Sequence, residues 1–163
     1  MGRVPIVVSQ PVMSDVPDWR LLALEVERLF GAPMADSDEW IAQLRRHIDH
    51  GTAWCARLAS GGPMVGGMLL SLGHPDAVTI GWLAVRSDHR RHGVGRALVE
   101  QAVTEAAGRP VRVVTFGEGH PIGPEAEASR TMYRRLGFKP AADIAPDASD
   151  DTPREVLWRS DPY

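Results

Sequence analysis

Residues 78–116 read VTIGWLAVRSDHRRHGVGRALVEQAVTEAAGRPVRVVTF. The first part, VTIGWLAV (78–85), is a nearly continuous apolar run, the pattern of a strand buried on both faces. Val94, Ala97, Leu98, Ala102 and Ala106 then recur at helical spacing, and Gly108 and Pro110 close that segment. VRVVTF (111–116) is a second buried strand. A strand, a helix and a strand in this order place the two strands parallel in one sheet, with a right-handed crossover. At the junction, RRHGVGRALV (90–99) sets three basic side chains before two closely spaced glycines, just where the helix starts.

Outward from this unit, VPIVVS (4–9) reads as a first strand. DVPDWRLLALEVERLFG (15–31) reads as a helix with Trp19, Leu22, Val26 and Leu29 on one face and Gly31 as its stop. Ser37 caps a second helix with Trp40, Ile41, Leu44 and Ile48 along one stripe, and Gly51 ends it. TAWCARLA (52–59) and MVGGMLLSLG (64–73) form an expected antiparallel hairpin across the turn residues SGGP. Beyond the crossover, GEGHPIGP (117–124) is a loop leading into a helix through EAEASRTMYRRLG (125–137). Short strands are expected around residues 138–144 and 155–159. Without an internal repeat or a domain-scale linker, residues 1–163 read as one mixed α/β domain.

Composition narrows the function classes. Hydrophobic residues are 44% and charged residues 24% of 163, an ordinary globular balance. The longest apolar runs fall short of the roughly 18 residues a membrane-spanning helix needs. The opening MGRVPIVVSQ lacks the features of a secretory signal and has Ile6 where a myristoylation motif needs Ser or Thr, so a cytoplasmic protein without a membrane partner is expected. Cys55, the single cysteine, lies in a strand and reads as a buried structural thiol. Net charge is −3, which argues against nucleic-acid binding, yet residues 86–96 hold four arginines and one aspartate. A concentrated basic spot on an acidic chain fits a small anionic ligand.

Glycines let backbone N–H groups approach a ligand closely, and a helix N-terminus adds unpaired N–H groups with partial positive charge. Together with arginines they form a site for phosphate or pyrophosphate. The competing reading is a tight turn with a solvated basic face. A nucleotide P-loop is absent, and Gly93 and Gly95 are followed by Leu98, not the third glycine of a dinucleotide loop. Glu118 stands where a ribose-binding acid would sit, but the loop from Val85 to Gly93 is too long for that tight turn.

Arg90, Gly93 and Gly95, placed after an apolar strand and before a helix, match the pattern Arg/Gln-x-x-Gly-x-Gly/Ala. This resembles the pyrophosphate loop of the GNAT superfamily of acyl-CoA-dependent N-acyltransferases. ASRTMYRRLGFKP (128–140) is similar to that family's later helix, with a Tyr followed by Leu-Gly-Phe. The resemblance spans roughly residues 53–140. It implies an α/β (α+β) fold with a mixed sheet of about six to seven strands, about four flanking helices and splayed central strands. It further implies acetyl-CoA as acyl donor, with the backbone of Arg91, His92, Gly93, Val94, Gly95 and Arg96 on the pyrophosphate. Leu83, Ala84 and Val85 would run along the pantetheine arm, and Tyr133 would protonate the departing thiolate.

Two positions depart from the family pattern. Ala126 replaces a frequent Asn, leaving Ser129 as the substitute cofactor contact, and VTIGWLAV carries no acid to serve as general base. Glu118 and His120, just beyond the second buried strand, are the candidate bases, since an ammonium acceptor with a pKa near 10 must lose a proton before it attacks. His47 and His50 read as a solvated helix face, lacking a third ligand for a metal. Trp19, Phe30, Trp40 and Trp54 fit a substrate pocket or core positions equally. The expected activity is acetyl transfer from acetyl-CoA to a small-molecule primary amine by direct attack in a ternary complex. A non-catalytic CoA-binding domain and a dinucleotide-dependent oxidoreductase remain the alternatives, and assembly as a homodimer stays open.

Overall fold

The strand, helix and strand of residues 78–116 form as their pattern requires: β4 (Val78–Val85), α3 (Val94–Ala106) and β5 (Val111–Phe116). β4 pairs with β5 in parallel, Val78 to Ile80 opposite Val111 to Val113. The paired register runs from Val78 to Ile80 on β4 and from Val111 to Val113 on β5, whereas β4 continues to Val85 and β5 to Phe116. The computed structural model describes residues 5–30, 35, 37–59, 62–116, 124–140 and 154–159. The other described elements are β1 (Val7–Ser9), α1 (Val16–Phe30), α2 (Asp38–His50), β2 (Ala53–Arg57), β3 (Met64–Ser71), α4 (Pro124–Arg135), β6 (Lys139–Pro140) and β7 (Arg154–Arg159). Hydrogen bonding orders the strands β1-β2-β3-β4-β5-β7-β6 in a mixed sheet.

Two compact units divide the chain, one of Met1–Leu70 with Trp82–Gln101, the other of Ser71–Gly81 with Ala102–Tyr163. In the first unit β1, β2 and β3 are antiparallel neighbours. The expected hairpin forms with one irregularity: register shifts between Ala56 and Arg57, so Val65 of β3 is passed over. The Val65 carbonyl instead accepts from the N–H of Arg86, at the end of β4, at 2.8 Å. The core of this unit gathers Trp19, Leu22 and Val26 of α1, Leu44 of α2, and Cys55, Leu69 and Trp82 of the strands. Trp40, Ile41 and Ile48 pack against it, as their helical stripe requires. The connector before α2 is tied back to α1 at Ala35, whose N–H donates to Glu27 and whose carbonyl accepts from Arg20, both at 2.8 Å.

Helix ends follow local chemistry. The Ser37 hydroxyl accepts from the Trp40 N–H at 3.2 Å, a cap worth about 1 kcal/mol. At the other end of α2, Gly51 takes φ +71° and the N–H groups of Gly51 and Thr52 return to the carbonyls of Ile48 and His47. That is a Schellman termination, possible because glycine adopts the left-handed conformation without a β-carbon clash. His47 is half-buried there, its Nδ1 2.7 Å from the Thr52 hydroxyl, rather than lying on a solvated face as expected. Burial is the main cause that holds its pKa below the usual histidine value, aided by His50 and Arg46. In the second unit β5 pairs antiparallel with β7, and β7 with β6. The strand expected at 138–144 appears as the two residues of β6, with 141–144 outside the described residues.

Candidate functional site

β4 delivers its end toward the basic loop with alternating burial. Ala84 is buried whereas Leu83 and Val85 are half-buried, as a strand's period of two requires. The loop opens with the Arg86-to-Val65 backbone bond and a single 3-10 turn, Ser87–His89. Asp88 organises that turn by accepting from Arg86 at 3.0 Å and meeting His89 Nδ1 at 2.8 Å. The His89 hydrogen bond is the main cause that lowers the Asp88 pKa, with Arg86 adding to it. Ser87 donates to Glu25 of α1 at 3.1 Å, joining the turn to that helix.

The next residues carry the unusual backbone. Arg91 has φ +66° and Gly93 φ +85°, whereas His92 between them is not among the positive-φ residues. Alternating backbone hand over successive residues turns their N–H groups toward one side and forms an anion-binding concavity. α3 then begins at Val94, and the Ala97 N–H donates to the Gly93 carbonyl at 3.0 Å. The preceding N–H groups of the first turn have no carbonyl to bond within the helix. A β-carbon on Gly93 would meet only Ile6 Cδ1, at an ordinary 3.7 Å. Glycine is needed here for its dihedral angle rather than for space.

Electrostatics refine the count of four arginines. Arg86 is paired with Asp88, and Arg96 with Glu100 at 3.1 Å one turn along α3. Arg90 and Arg91 are exposed and make no ion pair among the described residues. Among the described residues, Arg90 and Arg91 thus place unpaired positive charge beside the positive-φ backbone of Arg91 and Gly93. His92 is exposed nearby, its ring 6.4 Å from that of His89.

α4 carries the other candidates. Ser129 and Tyr133 are one turn apart on one face; Ser129 is half-buried and Tyr133 only 4% exposed. The motif Tyr-Arg-Arg-Leu-Gly-Phe proves to be a helix termination. The Phe138 N–H returns to the Tyr133 carbonyl at 3.0 Å, the Gly137 N–H to Arg134 at 3.1 Å, and Gly137 takes φ +94°. The Tyr133 and Phe138 rings meet edge to face at 5.4 Å, the apolar contact that accompanies a Schellman motif. Burial pushes the Tyr133 phenol far above its ordinary range, which keeps it protonated at neutral pH. Glu118 and His120 lie outside the described residues.

The loop candidates Leu83, Ala84, Val85 and residues 90–96 thus fall together in the first unit, and Ser129 and Tyr133 in the second. Sequence reasoning missed the left-handed Arg91, for which no local signal exists. It also passed over Gly66 and Gly67 in β3, whose pairing inside an apolar strand was a readable sign of close approach.

A model of the acetyltransferase (GNAT) domain matches residues 49–140, more than half of the chain. The chain belongs to the GNAT acetyltransferase family. The chain is 48% identical over 71 residues to a mycothiol acetyltransferase of Clavibacter sepedonicus, a match covering 44% of this chain. The matched part spans only 21% of that relative. Among solved GNAT folds, an acetyltransferase from Thermus thermophilus superposes with TM-score 0.71 at 20% identity, covering 98% of this chain and 99% of that one. The paia N-acetyltransferase from Thermoplasma acidophilum in complex with coenzyme A gives TM-score 0.67 at 14% identity, covering 95% and 98%. The cosubstrate of a GNAT enzyme is acetyl-CoA. The positive-φ backbone at Arg91 and Gly93, the α3 N-terminus, and Arg90 and Arg91, which make no ion pair among the described residues, have the chemistry an anionic group such as its pyrophosphate requires.

Proposed function

We propose that the chain is an N-acetyltransferase that moves the acetyl group of acetyl-CoA to a primary amine of a small molecule by direct attack. The observation that carries this reading is the alternation of backbone hand at Arg91 and Gly93 immediately before α3.

Backbone N–H groups of residues 91–96 hold the pyrophosphate, and Arg90 and Arg91 add charge. Leu83 to Val85, beyond the paired register of β4, offer backbone groups to the pantetheine arm, and one N–H polarises the thioester carbonyl. Ser129 contributes a hydroxyl to the cofactor. When bound, acetyl-CoA supplies an activated thioester. The amine forms the new C–N bond as the C–S bond breaks. Glu118 or His120 would take the ammonium proton, Tyr133 would donate its phenol proton to the sulfur, and the second proton lost by the nitrogen would restore the phenol. Burial keeps the Tyr133 phenol in its neutral form, the form that carries the proton to be donated. Direct attack is supported by Cys55, which is fully buried, donates to the Ser9 carbonyl at 3.3 Å and accepts from Arg57 at 2.8 Å.

The test has two steps. Acetyl-CoA at about one hundred times its Kd stabilises a folded protein by about 2.7 kcal/mol, so thermal melting should shift upward by several degrees. No shift with acetyl-CoA beside a clear shift with NAD would overturn the reading in favour of a dinucleotide enzyme. Thiol release is then followed over amino acids, polyamines, amino sugars and the acceptor used by mycothiol acetyltransferase. Binding without amine-dependent release across the panel would identify a non-catalytic CoA-binding domain.

A further inference from the structure

β3 contains two consecutive glycines, Gly66 and Gly67, both buried. Glycine inside a strand forfeits side-chain packing and conformational entropy, so its presence at two buried positions calls for a steric cause. The contacts supply one for each. A β-carbon on Gly66 would lie 2.8 Å from Cγ1 of Val94, 3.2 Å from the Ala84 carbonyl oxygen and 3.3 Å from Cδ1 of Leu98. On Gly67 it would lie 2.6 and 2.7 Å from the outer ring of Trp19. Successive strand residues face opposite sides of a sheet. Gly66 therefore admits α3 on one face, and Gly67 admits Trp19 of α1 on the other.

The Gly66 neighbours are particular. Val94 is the first residue of α3, and Ala84 lies on the end of β4. Neither can yield locally. Val94 is buried and β-branched, so its rotamer in a helix is nearly fixed, and the Ala84 contact is backbone. Relieving a 2.8 Å contact thus means moving the α3 N-terminus, the β4 backbone, or both. We propose that Gly66 is a positioning residue for the cofactor cradle: its missing side chain sets how closely the first turn of α3 approaches β3 and the end of β4. This rests on the reading of residues 83–96 as the CoA site. Gly67, one residue away with an equally tight contact, faces α1: its β-carbon would meet Trp19 rather than the first turn of α3 or the Ala84 backbone.

The experiment compares Gly66→Ala with Gly67→Ala, each as the full chain, by thermal melting, hydrogen exchange of backbone amides and calorimetric binding of CoA. Gly66→Ala should speed exchange of the amides of residues 91–97 and weaken CoA by at least about tenfold, or about 1.4 kcal/mol. Gly67→Ala should lower the melting temperature comparably while leaving CoA affinity within about threefold, or about 0.7 kcal/mol. Val94→Ala deletes the atom in closest contact. Added to Gly66→Ala, it should bring CoA affinity back to that of Val94→Ala alone, a rescue that lost stability by itself does not produce. If Gly66→Ala does not fold, the double variant is compared with Val94→Ala directly, and equal affinities support the proposal. Equal effects of the two glycine variants on loop exchange, or wild-type affinity in folded Gly66→Ala, would overturn it. A wild-type protein that ignores CoA would instead refute the assignment of function, and the exchange comparison would still decide whether Gly66 positions the loop.

Discussion

Replacing Tyr133 by Phe and, separately, by Ala divides its two roles. The ring is 4% exposed and packs edge to face on Phe138 at 5.4 Å, closing the C-terminal motif of α4. Tyr133→Phe retains that ring contact and every backbone bond of the motif. Its melting temperature should stay within about 4 °C of wild type, equivalent to about 1 kcal/mol at this chain length. Tyr133→Ala empties a buried aromatic site, at about 3–5 kcal/mol, and loses an aromatic pair worth about 0.5–1.5 kcal/mol. The expected fall in melting temperature is on the order of 10–20 °C. Catalysis should separate the variants differently. Deleting a positioned proton donor costs about 10²–10⁴ in rate, roughly 3–5 kcal/mol of barrier. Tyr133→Phe should therefore fold normally, bind acetyl-CoA normally and lose at least about a hundredfold in kcat, measured by single-turnover thiol release with the best amine. A thiolate leaves partly unaided, so the low end of that range is expected. If Tyr133→Phe turns over at the wild-type rate with chemistry rate-limiting, the tyrosine is a packing residue and nothing more.

The raised Tyr133 pKa has a second consequence: between the unfolded value near 10 and the higher native value, only the native state keeps the proton. Its contribution to stability is thus complete below about pH 10 and declines above it, and urea midpoints at about pH 8 and about pH 10.5 should converge in Tyr133→Phe. His47 works in the opposite direction, since its native pKa lies below the unfolded one. Stability should be full above about pH 6.5 and fall as the solution is acidified, and His47→Asn should flatten melting curves taken from about pH 7.5 to about pH 5.5. Gly93→Val forces a β-branched residue to φ +85° and should weaken CoA at least about tenfold more than Arg91→Ala, as read by calorimetry. Equal losses would place the pyrophosphate on the arginine instead. Asp15→Ala removes the 2.9 Å partner of the partly buried Arg57 and should cost about 1–3 kcal/mol in urea unfolding. An unchanged midpoint would mean that water replaces the pair.

Much of the fold was legible because its signals are local. The apolar run of β4, the helical stripe of α3 and the Ser37 cap each depend on neighbours within a few residues, and the structure places all three as read. Gly51 was likewise readable as a helix stop, because glycine accepts the left-handed conformation at low cost, whereas the same role of Gly137 was not singled out. The basic glycine loop was visible as a pattern, yet which arginines remain uncompensated was not. Asp88 is close in sequence to Arg86, and Glu100 lies outside the loop on the next turn of α3. His47 misled for the same reason: helical spacing exposes it, but the chain turning back at Gly51 brings Thr52 onto its ring.

The amino-acid sequence by itself determined the element order, the parallel crossover and the place of the basic glycine turn before α3, since hydrophobic period, caps and glycines act over short stretches of chain. Tertiary structure alone decided the left-handed backbone of Arg91, the depth at which Tyr133 is buried and the contacts of Gly66 and Gly67 with α3 and Trp19. Those properties arise where segments distant in sequence are pressed to within van der Waals distance. No local pattern of residues records how close that approach will be.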